Sequence, residues 1–341
     1  MEWCRWHWRP ASRVKMIELK HIEGARNRIG DRILRTPIVL SSPLSAICDV
    51  PVYLKLEHQQ TTGSFKLRGA FNAVLQLSRD ERSRGVVAVS TGNHGRALSF
   101  AANTCGVKAT ICMSALVPEN KVSEIRRLGA EVRIIGRSQD EAQEEAERLA
   151  SNEGLCLLPP FDHPAIIAGQ GTLGLEIAEA LPDVATVLIG LSGGGLASGV
   201  ALAIKGWRPK ARVIGLTMDR GAAMKASLDA RRPVQVAEFE SLADSLGGGI
   251  GLANKWTFAM CRDLLDDVVL LSETEIAAGM QHAYMEEREV VEGAGAVGIA
   301  ALLANKVANL RGPVVTVLSG RNVDMHLHRR VVSGATVNFR G

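Results

Sequence analysis

Lys66 stands between Phe65 and Leu67 in the stretch GSFKLRGAFNAV, residues 63 to 74. An apolar setting lowers a lysine's pKa and makes its amine a nucleophile that can form an imine with a carbonyl. Its own neighbours leave a second reading open, a solvated cation at the start of a helix. Three other stretches bear on the choice. VLIGLSGGGLASGVALAIK reads as strand, glycine loop and helix, and Gly193, Gly194 and Gly195 there expose successive amides. With the positive end of the following helix they form a cradle for an anion. No G-x-x-x-x-G-K-[ST] is present, so a single phosphate is the natural occupant, and a loop kept tight for packing is the alternative. VSTGNHGRAL sets Ser90, Thr91 and Asn93 at the carboxyl end of a strand, where a helix start suits a carboxylate. A plain N-cap would explain one of those residues. VVTVLSGRNVD ends a buried-looking strand at Ser319, a hydroxyl for binding or for capping.

A fourth glycine motif points elsewhere. GQGTLG, residues 169 to 174, fits G-x-G-x-x-G literally. Its glycines fall inside a helical pattern that has already begun near residue 164, whereas a dinucleotide fingerprint follows a strand and opens a helix. No nucleotide site is expected there.

The elements that must position these groups alternate. Short apolar runs, GVVAVS, VKATICM, EVRII and LCLLP, are followed in turn by helical patterns. Such βαβ units imply a parallel sheet, and runs without polar alternation imply that both faces are covered. A second series runs from the helix HPAIIAGQGTLGLEIAEALP through the strands ATVLIG and ARVIGLTM to the strand PVVTVLS. Two doubly wound α/β domains are expected: residues 17–79 with 161–331 as a large unit, and 80–160 as a small one. Residues 1–16 read as an unstructured leader and 332–341 as a tail.

The bulk numbers exclude several function classes. The chain has 341 residues, 46% hydrophobic and 22% charged, which fits an ordinary soluble globular protein with substantial cores. Its formal charge of +4 arises mainly in the leader, where Arg5, Arg9, Arg13 and Lys15 face only Glu2. The rest is close to neutral, so no nucleic-acid partner is expected. No run of uncharged apolar residues is long enough for a membrane span, and the leader lacks the apolar core of a signal peptide. The six cysteines are scattered without C-x-x-C, which favours a reducing cytoplasm. The histidines show no ligand spacing, and no metal is expected.

A reactive lysine, a monophosphate cradle, a carboxylate-sized polar turn and a strand-end hydroxyl are the parts that pyridoxal phosphate requires. On SFKLRGA, STGNHGRAL, GGGLASG, VEGAGAVGIAAL and LSGRNVD, the chain resembles the fold-type II pyridoxal-phosphate enzymes, the fold of the tryptophan synthase β chain. Within them it is similar to the threonine/serine dehydratase and serine racemase branch, over roughly residues 17 to 331. The resemblance implies that Lys66 carries the cofactor and then shuttles the substrate's α-proton, with Phe65 packed against the ring and Asn93 on the ring hydroxyl. It implies Ser192, Gly193, Gly194, Gly195 and Leu196 at the phosphate, and Ser319 at the pyridine nitrogen. Glu292 is placed near the cofactor edge, and Ser90, Thr91 and the amide of His94 at the substrate carboxylate.

The implied activity is dehydration and deamination of a β-hydroxy-α-amino acid, L-threonine or L-serine, to a 2-oxo acid and ammonia, by a cytoplasmic homodimer. Thr217 stands where racemases of this branch carry a metal-binding glutamate, and Gly190-Leu191-Ser192 and Arg321 depart from the usual loops. The pieces TMDRGAAMKASL, LADSLGGGIG and VEGAGA are similar to the hydroxyectoine-utilisation dehydratases, which makes a hydroxylated diamino acid the second substrate. An amino-acid racemase, with Thr91 as a second proton donor, and a non-catalytic binding protein on the same fold are the remaining alternatives.

Overall fold

The computed structural model describes residues 17–90 and 92–335. The expected leader, the end of the tail and the role given to Thr91 therefore lie outside the described residues. Among the described residues ten strands form two sheets: β1 (Ile38–Leu40), β2 (Val52–Lys55), β3 (Val86–Val89), β4 (Ala109–Met113), β5 (Glu131–Ile134), β6 (Cys156–Leu157), β7 (Thr186–Gly190), β8 (Arg212–Met218), β9 (Asp267–Leu271) and β10 (Val314–Val317). The larger sheet has the order β1-β2-β10-β7-β8-β9, the smaller one β5-β4-β3-β6. Every pairing is parallel except β1 with β2. The α/β class and the parallel sheets expected from the alternation are what the chain adopts.

Strand β7 shows why its run is continuously apolar. All five of its residues are buried. Val187 and Ile189 point into a core with Ala197, Val200 and Ala201 of helix Gly195–Trp207. Leu188 points the other way, into a core with Ala296, Val297 and Ala300 of helix Gly293–Leu303. Helices cover both faces, so the run is apolar after its first residue, the buried Thr186, whose hydroxyl donates to the carbonyl of Arg311.

The last strand in the chain, β10, sits in the middle of the large sheet, between β2 and β7. Three parallel strands thus deliver their carboxyl ends to one edge. Beyond β2 the chain reaches Lys66, beyond β7 the triple glycine, and beyond β10 Ser319. The smaller sheet contributes the segment after β3, with Ser90 and Asn93. This edge is where open α/β sheets bind ligands.

Helix Lys66–Leu75 packs against helix Pro164–Ala180 and helix Asn93–Thr104. The GQGTLG motif makes the first of these contacts. A Cβ at Gly169 would lie 2.6 Å from the backbone of Arg68 and Gly69, and at a second crossing, with helix Gly195–Trp207, one at Gly174 would lie 2.8 Å from Ala203. The glycines serve close helix crossing, in line with their place inside a helix.

Several elements are new relative to the sequence reading: β9 and the helices Ser42–Cys48, Arg79–Arg84, Ala223–Asp229, Thr257–Leu264 and Met325–Val332. Each helix spans eight residues or fewer, too short for a 3.6-residue period to stand out. Among the described residues no helix is long and apolar enough to cross a membrane.

Candidate active site

Lys66 begins its helix at the wall of a cavity of about 350 Å³. Phe65, Ser90, Asn93, His94, Ser192 to Leu196 and Ser319 line the same cavity. The structure thus gathers all but two of the sequence-predicted site residues around one space. Glu292 stands behind Asn93, and Thr91 is outside the described residues.

The Lys66 amine donates to the backbone carbonyl of Pro160 at 2.8 Å. Burial lowers its pKa to about 8, and the nearby carboxylate of Glu292 works against that fall. The amine also lies 5.2 Å from the centroid of the Phe65 ring. No carboxylate forms an ion pair with it among the described residues. It is a lysine that loses its proton at accessible pH.

His94 is buried at the cavity wall. Burial, helped by Lys66, drops the imidazole pKa to about 4, and its Nε2 lies 2.9 Å from the carbonyl of Leu158. A carbonyl only accepts, so the ring is neutral with its proton on Nε2. Its amide belongs to the first turn of helix Asn93–Thr104.

The triple-glycine loop carries two demands at once. Gly194 has φ +87°, and helix Gly195–Trp207 starts directly after it. A Cβ at Gly193 would come within 2.3 Å of the Phe161 ring. Packing therefore requires glycine here, as the alternative reading held. The loop also presents donors: the amides of Gly193 to Ala197 find no acceptor among the described residues, and these residues face the cavity. Buried amides at a helix start without acceptors are an anion site.

Asn93 is buried, and its Nδ2 donates to Glu292 Oε1 at 2.8 Å while its Oδ1 accepts from Asn322 Nδ2 at 2.5 Å. Glu292 also accepts from Ser245 Oγ and from the backbone N–H of Asn322. Burial raises its carboxyl pKa to about 7, with Asp244 adding to the rise and the three donors opposing it. Ser319 lies two residues past β10, its hydroxyl donating weakly to the carbonyl of Ala294 at 3.3 Å. The backbone carbonyl of Ser319 accepts from the N–H of Phe65, which ties the two segments together.

Four polar residues of the site were not singled out from the sequence. Lys121, Gln139, Asp244 and Ser245 line the cavity. Lys121 and Gln139 sit near the starts of two amphipathic helices, and Asp244 and Ser245 belong to a one-turn 3-10 helix, Asp244–Leu246. The only signal available was the quoted LADSLGGGIG.

A family model described as "Pyridoxal-phosphate dependent enzyme" matches residues 29–320. The chain belongs to this family. A Sinorhizobium fredii protein named "Putative threonine dehydratase" is 67% identical over 318 residues, which cover 93% of this chain and 96% of that one. An L-threonine ammonia-lyase of Thermotoga maritima is 41% identical over 322 residues, 94% of this chain and 80% of the relative. Among solved structures, maize serine racemase superposes with a TM-score of 0.87 at 30% identity, covering 93% of this chain and 97% of its own. A processed threonine deaminase isoform 2 from Solanum lycopersicum gives 0.85 at 34% identity, with 93% and 88% covered.

The site of this pyridoxal-phosphate dependent enzyme fits its cofactor by the chemistry of its donors. The five free amides match a phosphate, the Lys66 amine matches an aldehyde, and Asn93 and Ser319 offer polar atoms for a pyridine ring. The cradle yields a sharp test. In Gly193→Ala the added methyl collides with Phe161, so the loop shifts and cofactor affinity falls at least about tenfold. Fluorescence titration of the cofactor-free protein measures this, and an unchanged affinity would remove the cradle assignment.

Proposed function

We propose that this protein is a pyridoxal-phosphate dependent ammonia-lyase that converts L-threonine or L-serine to the 2-oxo acid and ammonia. The observation that carries the reading is a lysine with a lowered pKa in the same cavity as five unpaired helix-start amides. The names of the relatives, threonine dehydratase and L-threonine ammonia-lyase, support the substrate class.

Held in this cavity, pyridoxal phosphate would supply an electron sink for the pair released at the substrate's Cα. The remaining work falls to the chain. The amides of Gly193 to Ala197 and the Ser192 hydroxyl would hold the phosphate, and Phe65 would pack against the ring. The Lys66 amine, freed when the substrate's own amine takes its place on the cofactor, would take the proton from Cα, its lowered pKa lying close to the optimum for a general base at neutral pH. Ser90, with the amides of the first turn of helix Asn93–Thr104, would hold the substrate carboxylate, and Thr91 belongs to the same assignment.

Ser319 would meet the ring nitrogen with a neutral hydroxyl. A hydroxyl does not keep that nitrogen protonated as a carboxylate would, which favours prompt loss of the β-hydroxyl over transamination. Overall one water leaves and one enters, releasing ammonia. The reading takes residues 80–160 as the small unit carrying Ser90 and Asn93, and 17–79 with 161–331 as the unit carrying Lys66, the cradle and Ser319. A homodimer in the cytoplasm belongs to the same reading.

One observation favours a second substrate class, a β-hydroxy amino acid with a cationic side chain such as a hydroxylated diaminobutyrate. Asp244 lines the cavity and forms no ion pair among the described residues. Burial raises its pKa, with Lys121 pulling it back. Both readings are tested by ammonia and 2-oxo acid release from threonine, serine and the diamino acid, in wild type and Asp244→Asn. Equimolar products from threonine or serine support the first reading. Turnover of the diamino acid alone, lowered at least about tenfold in Asp244→Asn, supports the second. A racemised amino acid without ammonia would contradict both.

A further inference from the structure

Asn322 follows Ser319 by three residues and does not line the cavity, yet its hydrogen bonds join three of the segments that do. Its Nδ2 donates to the carbonyl of Thr62 at 2.9 Å, in the turn that leads to Lys66. The same nitrogen donates to Asn93 Oδ1 at 2.5 Å. Its backbone N–H donates to Glu292 Oε2 at 3.1 Å. The turn comes this close because residue 63 is glycine: φ is +77°, and a Cβ there would lie 2.6 Å from Asn322 Oδ1.

These bonds fix which way the Asn93 amide faces. The Thr62 carbonyl only accepts, so the Asn322 atom beside it is the nitrogen. That nitrogen requires an acceptor on Asn93, so Asn93 turns its oxygen toward Asn322 and its nitrogen toward Glu292. One N–H of Asn93 is used on Glu292, and one is left for the cavity. Flipped by half a turn, Asn93 would set an N–H against the Asn322 donor and its oxygen against Glu292.

We propose that Asn322 is a positioning residue that sets the amide orientation of Asn93, and through it the hydrogen-bond donor offered to the cofactor ring oxygen. The inference rests on the pyridoxal-phosphate reading of the cavity. A donor at the ring oxygen favours its ionised form and lowers the pH at which the bound cofactor loses its proton. In Asn322→Asp the carboxylate only accepts, so Asn93 turns its nitrogen to residue 322 and its oxygen toward Glu292 and the cavity. Lys66, His94, Asp244 and Glu292 are titratable groups close by, Lys121 and Arg96 are charged groups beside them, and all are retained in the variants used here.

The test is the pH titration of the holoenzyme's visible cofactor band in wild type, Asn322→Asp, Asn322→Ala, Asn93→Ala and the double variant Asn93→Ala/Asn322→Asp. The expected result is an upward shift of the midpoint in Asn322→Asp by about one pH unit, the size of one lost hydrogen bond to a charged group. Asn93→Ala gives the same shift, Asn322→Ala a smaller one of the same sign, and the double variant no more than Asn93→Ala. The neutral Asn322→Ala keeps the test open if the aspartate variant does not fold. Wild-type midpoints in the Asn322 variants would overturn the proposal and leave Asn322 a structural residue read only in the melting temperature. Additive shifts in the double variant would overturn it too, because they would show a field effect of the new charge. A wild-type protein that develops no visible band with pyridoxal phosphate would instead overturn the cofactor reading itself.

Discussion

Lys66→Ala is expected to abolish 2-oxo acid release from every β-hydroxy amino acid the wild type accepts, with turnover falling at least about 10³-fold. The reason is local. The amine is a nitrogen nucleophile that the cavity presents in front of the free amides, and among the described residues its one hydrogen bond is to the Pro160 carbonyl. The loss is therefore one of chemistry. Leu67, Ala70, Phe71 and Val74 anchor the helix in the core, and alanine is a better helix former than lysine. The melting temperature should stay close to wild type while turnover disappears. Product formation is followed as 2-oxo acid, and turnover within tenfold of wild type would show that another residue does this work.

Two positions along the same helix, the opposite result is expected. Arg68→Ala should destabilise the fold by about 3–5 kcal/mol. Arg68 is fully buried. Its Nε and Nη2 donate to Glu57 at 2.6 and 2.9 Å, and its Nη1 and Nη2 donate to Glu176 at 2.6 and 3.0 Å. Lys55, also without exposure, completes the group by donating to Glu176 at 2.5 Å and to the carbonyl of Thr36 at 2.7 Å. Burial disfavours the charged form of Glu176, but Arg68 and Lys55 outweigh it and hold its pKa below the usual range. Two carboxylates share two cations, so removing Arg68 leaves Glu57 buried without a cation and Glu176 with Lys55 alone. Urea unfolding at constant m-value measures the loss. A loss under about 1 kcal/mol would mean that water replaces the guanidinium without penalty.

These two residues also mark how far the sequence carries. Lys66 was legible because the groups that complete its chemistry announce themselves by local pattern: a strand, a short polar or glycine turn, and a helix. The alternation that ends in GNHGRAL and GGGLASG dictates where those turns fall, since parallel strands bring their carboxyl ends to one edge. GQGTLG was legible for the same reason, because the helical pattern around it ruled out a strand–loop–helix site. Arg68 was not legible as the hub of a buried charge group. Its partner Glu176 lies 108 positions away, and nothing local distinguishes either from a solvated charge.

Asn322 and Asp244 were missed for a related reason. Each does its work through neighbours delivered by other strands: Asn322 through Thr62, Asn93 and Glu292, and Asp244 through the cavity it shares with Lys66. Glu292 was placed near the cofactor edge on resemblance; its carboxylate stands behind Asn93 and accepts from it, and burial raises its pKa. The short elements around residues 223 to 271 were missed because five to eight residues hold too little periodicity to separate helix from loop.

The most direct test of the account is to trap the cofactor where it sits. Holoenzyme treated with a hydride reductant and digested should yield a pyridoxyl-labelled peptide containing Lys66, with no label on Lys55 or Lys121 and none in Lys66→Ala. Label on another lysine, or full 2-oxo acid release from a protein that takes no label, would contradict the claim that Lys66 holds the cofactor in this cavity.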